Sequence, residues 1–169
     1  EIEYLVKNGE DVVTFIYAWH LLLMKNSGRR RLQMVEYFLQ HGANPNNRGL
    51  CGVTALMFAC KEQDDHLVMC LLKHKASVNQ QDFYGRSALQ FAIVKRQPHA
   101  HVTLERFIQE IHIIEMLLQH GAGPHIKDCR GSSAMDKVIQ GRLVDIERLM
   151  IRYAGPAPVQ DDYSGCKIL

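Results

Sequence analysis

What the sequence has little of restricts the class of protein first. None of its apolar runs approaches the roughly 18 residues that a membrane-spanning helix needs, and the first ten residues, EIEYLVKNGE, show no basic-then-apolar targeting signal. The net charge is only +2, which is too small to indicate nucleic acid or a membrane surface as the partner. Apolar residues make up 47% and charged residues 22% of the 169 positions. This balance is typical of a soluble globular domain, and we expect it to be part of a longer parent protein.

Cysteines are few and are not paired by spacing. The five are an odd number, and no two stand in a CxxC arrangement. A disulfide framework and a zinc ribbon are therefore disfavoured. Reduced thiols predict a cytoplasmic or nuclear protein. The residues are Cys51, Cys60, Cys70, Cys129 and Cys166.

Two landmarks repeat along the chain with the same spacing. GVTALMFAC (52–60), GRSALQFAI (85–93) and GSSAMDKVI (131–139) are three versions of one pattern. Thr54 and Ser87 are 33 positions apart, and Ser87 and Ser133 are 46 apart, which is 33 plus 13. The stretches QHGANPN, KHKASVN and QHGAGPH repeat at the same separations. Their agreement indicates a 33-residue repeat with one insertion.

The helix openings TALMFA at Thr54, SALQFA at Ser87 and SAMDKV at Ser133 are each followed by an apolar helix, and HGA-type turns end such helices. These motifs resemble those of the ankyrin-repeat family, although Ala replaces Pro at the second motif position. The resemblance implies an all-α solenoid of helix-turn-helix units with β-turn fingers, about four repeats plus an N-terminal half-repeat. We expect the array over residues 1–154, with insertions near 24–31 and 98–110. Two prolines and a polar run predict a non-repeat tail at 155–169.

The repeat predicts local backbone features. Thr54, Ser87 and Ser133 are expected helix N-caps. Gly42 and Gly121 fall just past the second helices, where a left-handed residue is expected. Lys75 occupies that position in the middle copy, at a cost of up to about 1 kcal/mol if the geometry is kept.

Catalytic and metal motifs are absent from the sequence. It has no GxxxxGK[ST] loop, GxSxG elbow or HExxH helix. His41, His74 and His120 share one repeat position, where they suit a helix C-terminus. His99 and His101 could chelate a metal ion, but no third ligand is placed by the sequence. We expect no enzyme activity, no cofactor and no metal; the run Arg29–Arg31 reads as a solvated loop rather than a phosphate contact.

The resemblance also implies where a partner binds. In ankyrin-type proteins the partner meets the hairpin tips and the exposed side of the first helices. Carried onto this sequence, those positions are Leu50, Cys51, Val53, Phe58, Lys61, Phe83, Tyr84, Arg86, Phe91, Lys95, Arg130 and Lys137.

Four of these residues are aromatic. Phe58, Phe83, Tyr84 and Phe91 predict a contiguous aromatic stripe over the two middle repeats, bordered by basic side chains. The alternative for Phe58 and Phe91 is that both pack as core between neighbouring first helices. The expected ligand is a peptide segment with apolar anchors and some acidic character.

Three functional hypotheses remain open from the sequence. The first is a monomeric, non-catalytic scaffold or adaptor. The second is a regulatory region that docks on an enzymatic domain of the parent protein. The third is a lipid-anchored adaptor, because Cys166-Lys-Ile-Leu resembles a prenylation box, although its acidic upstream residues lack the usual second signal.

Overall fold

The computed structural model describes residues 28–93 and 103–154, and in these two ranges the regular secondary structure is helical. An isolated antiparallel bridge joins Gln81 and Ser87. The helices are α1 (Gly28–Gln40), α2 (Ala55–Lys61), α3 (Asp65–Lys73), α4 (Ala88–Ala92), α5 (Leu104–Gln119), α6 (Ala134–Gln140) and α7 (Val144–Ala154), with a short 3-10 turn at Leu50–Gly52 between α1 and α2.

The helices form two layers. In one layer the short helices α2, α4 and α6 pack side by side, each being the first helix of a repeat. In the other layer α1, α3, α5 and α7 pack in the same order as second helices. The first and second helices of a repeat also contact each other, at α2–α3, α4–α5 and α6–α7, and this arrangement confirms the all-α solenoid expected from the repeat.

The core runs between the layers at repeated positions. Phe38, Leu71, Leu117 and Met150 occupy the same position in successive second helices and are at most 3% exposed. In the first helices, Ala59 and Ala92 are fully buried where neighbouring backbones approach each other. The core is therefore a continuous seam along the stack, as a solenoid requires.

Capping side chains begin the first helices. The Met57 amide donates to Thr54 Oγ1 at 3.3 Å, and the Asp136 amide donates to Ser133 Oγ at 3.2 Å. At Ser87 the Gln90 amide instead donates to the backbone carbonyl, and the Ser87 amide donates to Gln90 Oε1 at 3.1 Å. The expected hydroxyl cap thus forms at Thr54 and Ser133. At Ser87 only the other bond of a capping box forms, in which the side chain three residues later accepts from the N-cap amide.

The second helices end as the repeat predicts. Gly42, Lys75 and Gly121 all have positive φ, at 91°, 62° and 84°. The preceding histidines, His41, His74 and His120, each place Nδ1 2.7–2.9 Å from the carbonyl oxygen four residues earlier. Because a carbonyl can only accept, Nδ1 must be the donor, and these histidines are helix caps.

Two expected insertion loops are partly helical. Residues 28–31 lie in α1, so the Arg29–Arg31 run belongs to a helix and not to a loop. Residues 104–110 belong to α5, which has 16 residues where α3 has nine. Thr103 Oγ1 caps α5 by accepting from the Arg106 amide, and good helix formers follow. The second insertion therefore extends a helix, and residues 94–102 lie outside the described part of the chain.

Candidate functional site: fingers and first helices

Three five-residue turns, called fingers here, precede the first helices at residues 49–53, 82–86 and 128–132. In each finger the first amide donates to the fifth carbonyl at 2.9–3.0 Å. The glycine at the fourth position donates back to the first carbonyl, also at 2.9–3.0 Å. The positive φ of 72–75° at these glycines explains why the repeat keeps Gly there.

Backbone hydrogen bonds join one finger to the next. The Phe83 amide donates to the Cys51 carbonyl, and the Cys129 amide donates to the Tyr84 carbonyl, both at 2.9 Å. A Cβ at Gly85 would lie 3.0 Å from the Asp128 Cα, so the glycine also permits this close approach. The fingers therefore form a row in fixed register.

A buried carboxylate organises the middle finger. Asp82 is 5% exposed, and its Oδ1 accepts from the amides of Tyr84 at 3.0 Å and Arg86 at 2.8 Å. Its Oδ2 lies 2.8 Å from Nε and 2.6 Å from Nη2 of Arg86. Asp128 Oδ1 repeats the amide bonds in the next finger, to Arg130 and Ser132. This role was not predicted from the sequence, although a D-x-x-G pattern at 82–85 and 128–131 carries it.

Arg86 links the finger to the first helix. Its guanidinium carbon lies 5.1 Å from the Tyr84 ring centroid and 4.5 Å from that of Phe91. The ion pair with Asp82 holds the guanidinium in this position. Cation–π contact and ion pair together fix the directions of both aromatic rings.

The tip of the middle finger carries the most exposed aromatic side chains among the described residues. Phe83 is 69% and Tyr84 is 57% exposed. The Phe83 ring lies over Gly52 of the preceding finger, where a Cβ would come within 2.7 Å of Phe83 Cδ1. Two adjacent exposed rings on a rigid turn form an apolar surface that the fold itself does not require.

The aromatic stripe is shorter than expected. Phe58 is only 5% exposed, because neighbouring elements surround α2 and bury Leu56 through Cys60. Its predicted exposed position is wrong, and the core alternative is correct for Phe58. Phe91 is half-buried and packs partly on the core. We therefore define the aromatic patch as Phe83, Tyr84 and Phe91 with Arg86 between them.

Basic side chains also lie in the repeats before and after the aromatic patch. Lys61 at the end of α2 and Arg130 at the tip of the third finger are exposed. Lys137 is half-buried, with Nζ 3.5 Å from the Gln90 carbonyl. The Gln90 side chain in turn donates to the Ser132 carbonyl at 2.6 Å. Lys137 and Gln90 thus tie the first helices together, so Lys137 has a structural role as well.

The other predicted contact residues are less favourably placed. Cys51 is exposed at its finger tip, with φ 57°. Val53 is half-buried against the core. Leu50 lies in the 3-10 turn beside Cys51. Lys95 and Cys166 lie outside the described residues.

Two of the thiols in the described ranges, Cys60 and Cys70, are buried. Burial raises the pKa of the Cys60 thiol far above its ordinary value. Burial, then the Glu36 carboxylate, raises the pKa of Cys70. Among residues 28–93 and 103–154, no three metal-ligating side chains cluster. His112 approaches Asp65 at 3.6 Å, and His99 and His101 fall in the undescribed gap.

A family model described as ankyrin repeats (3 copies) matches residues 21–128. The chain belongs to the ankyrin-repeat family. Repeats of this family are general protein–protein interaction modules and are typically non-catalytic. A comparison with curated proteins returned no significant match. In the ranges that the structure describes, no helix is both long and apolar enough to cross a membrane.

Proposed function

We propose that this ankyrin array is a non-catalytic adaptor that binds a peptide segment of a partner protein at the aromatic patch. The observation that carries the proposal is the pair of exposed rings, Phe83 and Tyr84, on a finger fixed by Asp82 and by the finger row. Aromatic and arginine side chains in such positions are the usual energetic centres of protein interfaces. A rigid finger also reduces the entropy lost on binding.

The surroundings favour a partner with apolar anchors and acidic residues. The Asp82 carboxylate already neutralises Arg86, so Arg86 serves mainly to orient the rings. Lys61 and Arg130 are exposed charges in the repeats before and after the patch. Charged groups at the rim of an interface act mainly on the association rate and on specificity. Binding should therefore weaken with added salt while the apolar anchors keep most of the affinity.

The proposal is tested by selecting peptides from a displayed random library against the 169-residue chain. The selected peptides are then measured by calorimetry against Phe83→Ala and Tyr84→Ala. Each truncation should weaken binding by about 2 kcal/mol or more, which is about 30-fold in Kd. Selected peptides should combine aliphatic or aromatic anchors with Asp or Glu.

Leu104→Ala is the matched control, because Leu104 is also a highly exposed apolar side chain, at 73%, but lies on α5. Its affinity should equal that of the unaltered chain. Equal affinity for Phe83→Ala, Tyr84→Ala and Leu104→Ala would rule out the aromatic patch as the binding site.

The same surface suits the second function, a regulatory region that docks on an enzymatic domain of the parent protein. The two functions differ in whether the ligand belongs to the same chain. Phe83→Ala in the parent protein should change its activity in the regulatory case and leave it unchanged in the adaptor case.

A further inference from the structure

Three loops connect second helices to the fingers, at residues 41–48, 74–81 and 120–127, and we call their joined surface the loop edge. None of the three loops contains Asp or Glu. Each second helix, by contrast, contains residues of both charge signs. The loops therefore carry positive charge without a carboxylate of their own.

Side-chain amides join one loop to the next. Asn46 Oδ1 accepts from the Ser77 amide at 2.6 Å, and the Gln80 side chain donates to the Asn46 carbonyl at 3.1 Å. One repeat further on, Asn79 Oδ1 accepts from the Gly123 amide at 2.8 Å. The three loops therefore lie in a fixed register, as the fingers that follow them do.

Cations are exposed along this edge. Arg48, Lys75 and Lys127 come from successive loops, and all three residues are exposed. Among the residues that the structure describes, no carboxylate forms an ion pair with Arg48 or Lys75. Arg86 differs, because Asp82 neutralises it. The charges of Arg48 and Lys75 are thus available to a ligand.

The loop edge is continuous with the aromatic patch. Gln81 ends the middle loop and Asp82 begins the middle finger, whose next two residues are Phe83 and Tyr84. The Gln81 side chain donates to the Lys127 carbonyl at 3.1 Å, so this junction also holds the third loop. A ligand anchored on the patch therefore has the loop edge beside it.

The spacing of the loops suits an extended segment. Helices that pack side by side are about 8–10 Å apart, and three residues of an extended chain cover about 10 Å. Carboxylates three residues apart can therefore meet cations of successive loops. A net charge of only +2 favours such a short acidic segment over nucleic acid, which needs a more strongly basic surface.

We propose that the loop edge binds carboxylates of the partner's peptide segment through Arg48, Lys75 and Lys127, while the apolar anchors of the same segment contact the aromatic patch. This binding rests on the proposed function for the apolar half of the ligand. It gives the acidic half a surface of its own, on the loops before the fingers.

A peptide of ten glutamates has no apolar anchor, so it tests the loop edge alone. Its binding to the 169-residue chain is measured by amide chemical shifts in NMR at about 0.1 M salt, where screening confines electrostatic attraction to about 10 Å. The shifts should be concentrated in the three loops. Arg48→Gln, Lys75→Gln and Lys127→Gln combined should raise the Kd about tenfold, because three ion pairs are lost. The same spectra report whether the variant is folded.

Arg106→Gln, Arg148→Gln and Arg152→Gln combined are the matched control, since all three residues are exposed on second helices and the net charge changes equally. The control should change the Kd less than about twofold. Equal weakening in the two triple variants would overturn the proposal, because net charge and not the loop edge would then attract the peptide. Tighter binding of a ten-nucleotide DNA strand at the same loops would also overturn it, since the surface would then select phosphate.

Phe83→Ala separates this binding from the proposed function. It should leave the Kd of the glutamate peptide unchanged and weaken the peptides selected from the library. Failure of the glutamate peptide to bind the loops, with the library peptides still sensitive to Phe83→Ala, would overturn the loop edge and leave the proposed function standing. Binding at the loops with library peptides insensitive to Phe83→Ala would support the loop edge and rule out the aromatic patch.

Discussion

At the scale of single residues, the repeat determines backbone geometry even where the side chain is unsuited to it. Lys75 keeps the left-handed conformation that Gly42 and Gly121 adopt, with φ 62°. The left-handed conformation at this position was predictable from the 33-residue period. The reason is that the turn is fixed by the helices on either side and not by the residue itself.

Lys75→Gly should stabilise the protein by up to about 1 kcal/mol, because glycine removes the left-handed strain but adds freedom to the unfolded chain. Urea unfolding measures the change. Lys73→Gly is the control, since Lys73 lies in the last turn of α3 with ordinary helical geometry, and it should destabilise by about 1 kcal/mol. Destabilisation by both variants would contradict the strain at Lys75.

Ser133 and Asp136 make the stability of α6 depend on pH. Hydrogen bonds from the Ser133 hydroxyl, at 2.7 Å, and from its amide, at 2.8 Å, lower the pKa of Asp136. A lowered folded pKa contributes stability above the unfolded value of about 3.9, and this stability is lost as the pH falls through the folded pKa.

Ser133→Ala should therefore cost about 1 kcal/mol at pH 7, with a smaller cost at pH values below the folded pKa of Asp136. Urea unfolding across this range measures the difference from the unaltered chain. Ser133→Thr keeps the hydroxyl and should behave like the parent sequence. A cost that is independent of pH would show that the Asp136 carboxylate does not contribute.

At the scale of elements, the fingers combine turn geometry with close contact between repeats. Gly85 needs a positive φ and also approaches Asp128 and Cys129, whereas Gly42 has a positive φ and no neighbour within 4 Å of an added Cβ. Comparing the two glycines therefore separates the cost of the left-handed backbone from the cost of crowding between fingers.

Gly42→Ala should cost about 1–2 kcal/mol from backbone conformation alone. Gly85→Ala should cost more, because the Cβ also pushes the third finger away at 3.0 Å. Denaturant unfolding compares the two, and exchange at the Cys129 amide should rise only in Gly85→Ala. Equal costs would mean that the fingers separate freely.

Sequence reasoning located the elements better than it located their surfaces. The glycine turns and the second-helix stripe follow directly from the period. Phe58 was misplaced because α2 has only seven residues and neighbours on several sides, so helical spacing does not identify an exposed face. Asp82 was missed because the D-x-x-G pattern that it shares with Asp128 is short, and its bonds to the Tyr84 and Arg86 amides depend on the turn of the backbone.

At the scale of the whole molecule, each repeat is stabilised by its neighbours. Leu71 in α3 and Met150 in α7 share a position, and both are fully buried. Replacing either by Ala should cost about 2–5 kcal/mol. Leu71→Ala should speed exchange in α1 and α5 on both sides, while Met150→Ala should speed it mainly in α5 and α7.

Hydrogen exchange resolved by peptide measures these effects. Faster exchange confined to α3 in Leu71→Ala would show that repeats are independent, contrary to the continuous core. The patch at Phe83 and Tyr84 lies in the repeat with neighbours on both sides, and so on the part of the array that is best supported.

The row of fingers also has an evolutionary consequence. The second and third fingers are 13 residues farther apart in the sequence than the regular 33-residue period. The Cys129–Tyr84 hydrogen bond nevertheless has the same length as the Phe83–Cys51 bond. The described part of the insertion lengthens α5, in the layer of second helices, and does not change the row of fingers. Descendants of this chain can therefore gain or lose residues in the second-helix layer without changing the spacing of the finger tips.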